Sequence, residues 1–185
     1  MRRTLYYILG ALMVAMVGAV AVSCEASDEF APKQREQIER YLNNNSLIPY
    51  RLTTDSVFVY VASNNLPEEE QTRIAKGDQV EFNFEAYTFG SSPASLPYYT
   101  NKEWLAAKLG DVIDTSWWDF EPMRAYVGDG SIIKGLDSAL PDCSKGDSVV
   151  VFLTSSNAYG GNKMGVVTAN TALMMVLNIL DVEKQ

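Results

Sequence analysis

The sequence predicts an α+β domain in which an antiparallel, twisted β-sheet wraps around one short helix, with an extra helix on its N-terminal side. Two observations carry the prediction. Several segments alternate apolar and polar or aromatic residues with period two and are separated by turn residues, the pattern of strands. The stretch Val127–Leu140 departs from that pattern: Ile132, Ile133, Leu136 and Leu140 fall on one helical face, and Gly128, Gly130 and Gly135 punctuate the turn before the helix and its start. A helix of two turns does not stand alone, because nucleation costs more than two turns return. Strands follow it, so its partner is the concave face of the sheet.

The totals set the outer bounds. A chain of 185 residues holds one domain of ordinary size plus extra segments and can bury a sizeable core. Ten Tyr, seven Phe and three Trp supply material for that core. The net charge is −8, which disfavours nucleic acid as a partner, since phosphates are met by Lys and Arg. No His is present, which removes His-based triads, His general bases and His-containing metal sites. Two Cys cannot hold zinc alone. Neither a metal nor a cofactor is called for.

Residues 1–23 read as a secretory leader. Arg2 and Arg3 form its basic start, Leu5 to Val22 is an uncharged apolar run, and Ala21, Val22 and Ser23 precede Cys24. The junction resembles a bacterial lipobox, with Ala21 in place of the more usual Leu. That resemblance implies a lipid-modified Cys24 as first residue and a domain held at the cell envelope, on the periplasmic or surface face of the outer membrane. An uncleaved N-terminal anchor is the alternative. With the leader gone, 13 basic face 23 acidic residues, or −10. Cys143 then has no disulfide partner and is read as a small buried hydrophobe.

Residues 24–46 are read as a tether and spacer. Pro32 can open a helix, Ile38, Tyr41 and Leu42 share a face, and Asn43 to Ser46 end it, which predicts an amphipathic spacer helix over 32–44 that holds the domain off the membrane. The domain proper is placed at 47–185. Strands are predicted over 57–61 and 80–85, the first all β-formers and the second with one wet face, separated by a solvated acidic loop and the turn Lys76-Gly77-Asp78. Residues 90–110 break the pattern and read as an insertion. Pro93 and Pro97 keep its first part extended, Asn101 is placed to cap a helix, Trp104, Leu105 and Leu109 form that helix's apolar face, and Gly110 ends it. Further strands are predicted over 124–127, 148–154 and 171–182, with a Gly-rich loop over 157–167.

Taken together, Ile113-Asp114-Thr115-Ser116, Val127-Gly128 through Ile132-Ile133-Lys134-Gly135-Leu136-Asp137, Lys145-Gly146-Asp147, and Ala158-Tyr159-Gly160 with Gly165 resemble the FKBP-type peptidyl-prolyl isomerases. The resemblance covers about residues 76 to 183. It implies an FKBP-like fold and catalysis of rotation about X-Pro bonds in polypeptides. It places Ile132 and Ile133 beside the prolyl ring, with the Ile133 amide donating to a ligand carbonyl. Tyr159 would donate its hydroxyl to the carbonyl of the target bond, and Asp114 would be the pocket carboxylate. Phe84, Ile113, Met123, Leu136 and Met175 would be walls, and Val166 and Val167 the flap. The family usually carries Trp at Leu136, other aromatics at Ile113, Met123 and Met175, and Tyr at Phe84. Aliphatic groups still dry a pocket, and Met adapts to its shape, but stacking surface is lost, so the resemblance implies weak activity. The competing expectation is a non-catalytic module binding an envelope protein, peptide or glycan through Tyr98, Tyr99, Trp117 and Trp118. A purely structural lipoprotein is the third.

Overall fold

The computed structural model describes residues 29–185; the leader, Cys24 and most of the tether lie outside the described residues. The strands are β1 (Arg51–Leu52), β2 (Phe58–Asn64), β3 (Gln79–Phe89), β4 (Tyr99–Thr100), β5 (Met123–Tyr126), β6 (Asp147–Leu153) and β7 (Ala172–Glu183). They form one sheet in the order β1-β2-β6-β7-β3-β4, and every pairing is antiparallel. The outer edge of β3 is shared, with β5 pairing its first half and β4 its second. The predicted strands are recovered to within a residue or two at most ends, and β3 runs four residues further than its alternation suggested.

Helix α3 (Lys134–Ala139) lies against one face of this sheet. There Val80, Phe82, Phe84, Val149, Val151, Leu153 and Leu177 join Leu136, Ala139 and Leu140 in the main core. The helix begins later than the apolar spacing predicted. Asp137 turns its carboxylate back to accept the amides of Gly128 at 2.9 Å and Gly130 at 3.1 Å. Both glycines have φ near +80°, a conformation costly for other residues, so the chain spends residues 128–133 on the turn and leaves Ile132 and Ile133 ahead of the helix. At Gly135 the helix comes close to the sheet, leaving no room for a Cβ beside Leu153.

The N-terminal helix α1 (Ala31–Asn44) matches the predicted span, but it is no free-standing spacer. Strand alternation turns Phe58, Phe89, Phe152 and Ala172 to the sheet face opposite α3, and Ile38 and Leu42, both at 0% exposure, pack onto them in a second core. Tyr41 adds an edge contact to Phe89 and a tilted one to Phe152, with centroids 5.4 and 5.7 Å away. Gln34 completes the buried stripe: its side-chain oxygen accepts from the Ser155 amide at 2.8 Å, and its amide donates to the Asn170 carbonyl at 2.8 Å. The sheet is therefore covered by α3 on one face and by α1 on the other.

A second tie comes from Arg51 on β1. Its Nη2 donates to the carbonyls of Ala139 at 2.7 Å and Pro141 at 2.8 Å, which capture the C-terminal end of α3. Arg51→Ala leaves these carbonyls without that donor and is expected to cost about 2 kcal/mol. Urea unfolding measures it, and an unchanged midpoint would mean that water replaces the guanidinium at no cost. Cys143 sits beneath, with burial pushing its thiol up to about 11, a buried hydrophobe at neutral pH as predicted.

Candidate functional site

The site that the sequence pointed to lies where the turn before α3 meets the loop after β6. The main core gathers Phe84, Ile132, Leu136, Val167 and Met175, each less than a tenth exposed. Met123, Ile133 and Tyr159 pack on its margin, half-buried. Eight of the predicted positions therefore belong to or border one apolar cluster. Among the described residues nothing accepts a hydrogen bond from the Ile133 amide. That donor is free because Ile133 caps α3 in an extended conformation, with φ −58° and ψ 140°, ahead of the first intrahelical bond.

Three predicted positions stand elsewhere. Ile113 packs in a separate cluster with Ala106, Leu109 and Trp118. Asp114 is exposed, and its Oδ1 accepts from both the amide (3.0 Å) and the hydroxyl (2.6 Å) of Ser116. Those bonds, hydroxyl first, hold its carboxyl below the ordinary range and spend it on a local turn. Val166 is 59% exposed, while its neighbour Val167 is fully buried, so only the second flap position belongs to the core.

The insertion supplies what the pattern did not predict. Helix α2 (Glu103–Ala106) is shorter than expected. Asn101 is no cap; it is buried and bridges three segments, accepting from the Phe84 amide at 2.8 Å and donating to the Glu121 carbonyl at 3.0 Å and the Phe82 carbonyl at 3.3 Å. Trp104 is 60% exposed with Lys108 over its ring, so it faces out rather than in. Lys102 reaches Glu85 at 2.7 Å and Asn178 at 2.7 Å. These bonds fix the segment before them, so Tyr98 and Tyr99 lie on the margin of the main core. Tyr99 meets Phe84 edge-on at 5.0 Å, and Trp118 likewise at 5.0 Å. Tyr98 packs edge-on against Tyr159 with centroids 6.4 Å apart, and their hydroxyls share a hydrogen bond of 3.1 Å. Burial, and then that bond, raise the Tyr98 phenol well above its ordinary range. Of the four aromatics expected at the surface, only Trp117 is truly exposed (71%); Trp118 is buried, and Tyr98 and Tyr99 are half-buried.

The family model for FKBP-type peptidyl-prolyl cis-trans isomerases matches residues 70–179. The chain belongs to that family. FK506-binding protein 1B of Aspergillus fumigatus is 24% identical over 108 residues, 58% of this chain and 80% of that protein. FK506-binding protein 1A of the same fungus is 26% identical over 89 residues, 48% of this chain and 76% of that protein. In fold, the chain is similar to a peptidyl-prolyl cis-trans isomerase of Pseudomonas syringae pv. tomato, with a TM-score of 0.55 and 13% identity, covering 83% of this chain and 96% of that one.

In this member of the FKBP family the rings near the site come from an unexpected segment. Leu136 and Met175 in its core and Met123 on the margin carry no rings, Ile113 packs in a separate cluster, and residues 98 and 99 set two tyrosine rings on the margin of the core. No group of three or more Cys, Asp or Glu side chains suited to holding a metal occurs among the described residues.

Proposed function

We propose that this protein is a peptidyl-prolyl cis-trans isomerase of the bacterial cell envelope, held at a membrane by lipid on Cys24, that acts weakly on proline-containing stretches of exported polypeptides. The reaction asks little of a protein. The amide barrier is roughly 18–20 kcal/mol, and rotation about X-Pro takes on the order of tens to hundreds of seconds unaided. A dry surface for the prolyl ring, with donors that favour the twisted amide over the planar one, lowers that barrier without a nucleophile or metal. The observation that carries the reading is the unpartnered Ile133 amide on the margin of the same apolar cluster as the Tyr159 hydroxyl. The outward turn of Asp114 supports weak activity, because no carboxylate then stands among the walls.

A protease-free assay on a proline tetrapeptide tests this. Tyr159→Phe is expected to lower kcat/KM about tenfold, the worth of one hydrogen bond made in the transition state. Asp114→Ala is expected to stay within about twofold, since its carboxylate serves a local surface turn. A wild-type rate at background refutes the isomerase reading.

A second reading, a non-catalytic module for an envelope protein, peptide or glycan, draws on Trp117, which stays exposed although stacked on Tyr99 at 6.4 Å. Trp117→Ala alone tests it, because Trp118 is part of a packed cluster. Capture of an envelope partner that survives the change counts against it.

A further inference from the structure

The Tyr98–Tyr159 pair has no counterpart in the sequence motifs, since its members are 61 positions apart and one belongs to the insertion. Each hydroxyl is the other's only partner among the described residues. A phenol has one proton to give. Either hydroxyl can be the donor of this bond; when Tyr159 gives its one proton to Tyr98, a peptide carbonyl that needs that proton must displace the Tyr98 oxygen. The rings also lie edge to face, so Tyr98 occupies volume beside that hydroxyl as well as its hydrogen-bonding capacity.

The backbone holds Tyr98 in this place. Its amide donates to the Ala86 carbonyl at 2.8 Å, Tyr99 pairs with Ala86 in the sheet, and the Thr100 hydroxyl donates to the Phe84 carbonyl at 2.6 Å. Pro97, immediately before, is buried. The segment cannot lift as a loop without breaking these bonds, whereas the Tyr98 side chain can turn about its own χ angles.

We infer that Tyr159 donates to Tyr98 in the free protein and that Tyr98 is thereby a built-in competitor for the prolyl site: its side chain must rotate away before a proline peptide binds. This rests on the isomerase reading for the role of Tyr159. It makes Tyr98 a specificity-determining residue. Peptides that gain enough contact from neighbouring residues displace it, and minimal prolyl ligands do not.

The test measures affinity for a proline tetrapeptide by calorimetry and the isomerisation rate on the same proteins. Tyr98→Phe keeps the ring and removes the competing oxygen. It is expected to tighten binding roughly two- to tenfold, the span of one net hydrogen bond. Tyr98→Ala should tighten it at least as much. In a Tyr159→Phe background, Tyr98→Phe should change nothing, because the two effects pass through one bond. Unchanged or weaker binding by Tyr98→Phe overturns the proposal, as does a gain that persists without the Tyr159 hydroxyl. Thermal unfolding checks each variant; should Tyr98→Ala fail to fold, Tyr98→Phe decides alone. Tighter binding with no isomerisation in any variant upholds the competitor and refutes the enzyme. Isomerisation in wild type with no gain in Tyr98→Phe does the reverse.

Discussion

Replacing Leu42 with alanine is expected to cost about 3 kcal/mol, as a leucine deletion in a packed core does. The side chain is fully buried, although it sits on a helix whose sequence reads as a membrane spacer. It packs with Ile38 against Phe58 and Phe152, and those rings come from strands whose other face builds the main core. Loss at Leu42 therefore propagates to the sheet and does not merely fray α1. For a domain of this size the melting temperature should fall on the order of 10 °C. Arg40→Ala is the control: among the described residues Arg40 pairs only with Glu36, one turn away on the exposed side, and its loss should stay within about 0.5 kcal/mol. Guanidinium and thermal unfolding read both. If Leu42→Ala matched the control, α1 would be a tether in solution and the second core would not contribute to stability.

Gly135→Ala reverses the usual sign of that substitution. Within a helix, alanine ordinarily stabilises over glycine by roughly 0.5–1 kcal/mol, and Gly135 has no positive φ to forbid a side chain. Space decides against it. A Cβ there would stand 2.4 Å from Leu153 Cδ2 and 2.7 Å from the Asn157 carbonyl oxygen. The leucine can turn, but the carbonyl is backbone and moves only with its loop. Overpacking of this kind costs roughly 1–3 kcal/mol, so the net expectation is a loss of about 2 kcal/mol. Asn157 precedes Tyr159 by two residues, and the Asn157 amide and the Ala158 amide close the turn that leads to it. The variant should therefore also lose isomerase activity beyond its loss of folded protein. Unfolding and the proline-peptide assay, run together, measure both. A stabilised variant would show that the 155–160 turn yields freely.

Much of the fold was legible because its signals are local. Strand alternation in β3, the glycine turn and the apolar run before α3 each follow from residues a few positions apart. α1 was legible as a helix but not as a packed one. Its buried stripe opens on Gln34, a polar residue whose partners, Ser155 and Asn170, are remote in sequence. Arg51 and Asn101 escaped for the same reason, since both bond to backbone groups that only the folded chain brings near. The site divided along the same line. Ile132, Ile133 and Leu136 come with the helix start, whereas the partner of Tyr159 arrives from the insertion. Asp114 offered a local clue in Ser116 two residues on, since Asp side chains commonly bond an amide at that spacing.

The position of β7 governs how the protein can be made. It is the last strand in sequence, yet it sits inside the sheet, hydrogen-bonded to β6 on one side and along the whole of β3 on the other. During synthesis, β3 and β6 therefore wait as open edges with apolar faces until residues 172–183 emerge. Pairings this far apart in sequence close slowly, and exposed edges recruit other chains meanwhile. An isomerase built this way is itself an incomplete chain, open to other polypeptides, until its last strand is in place.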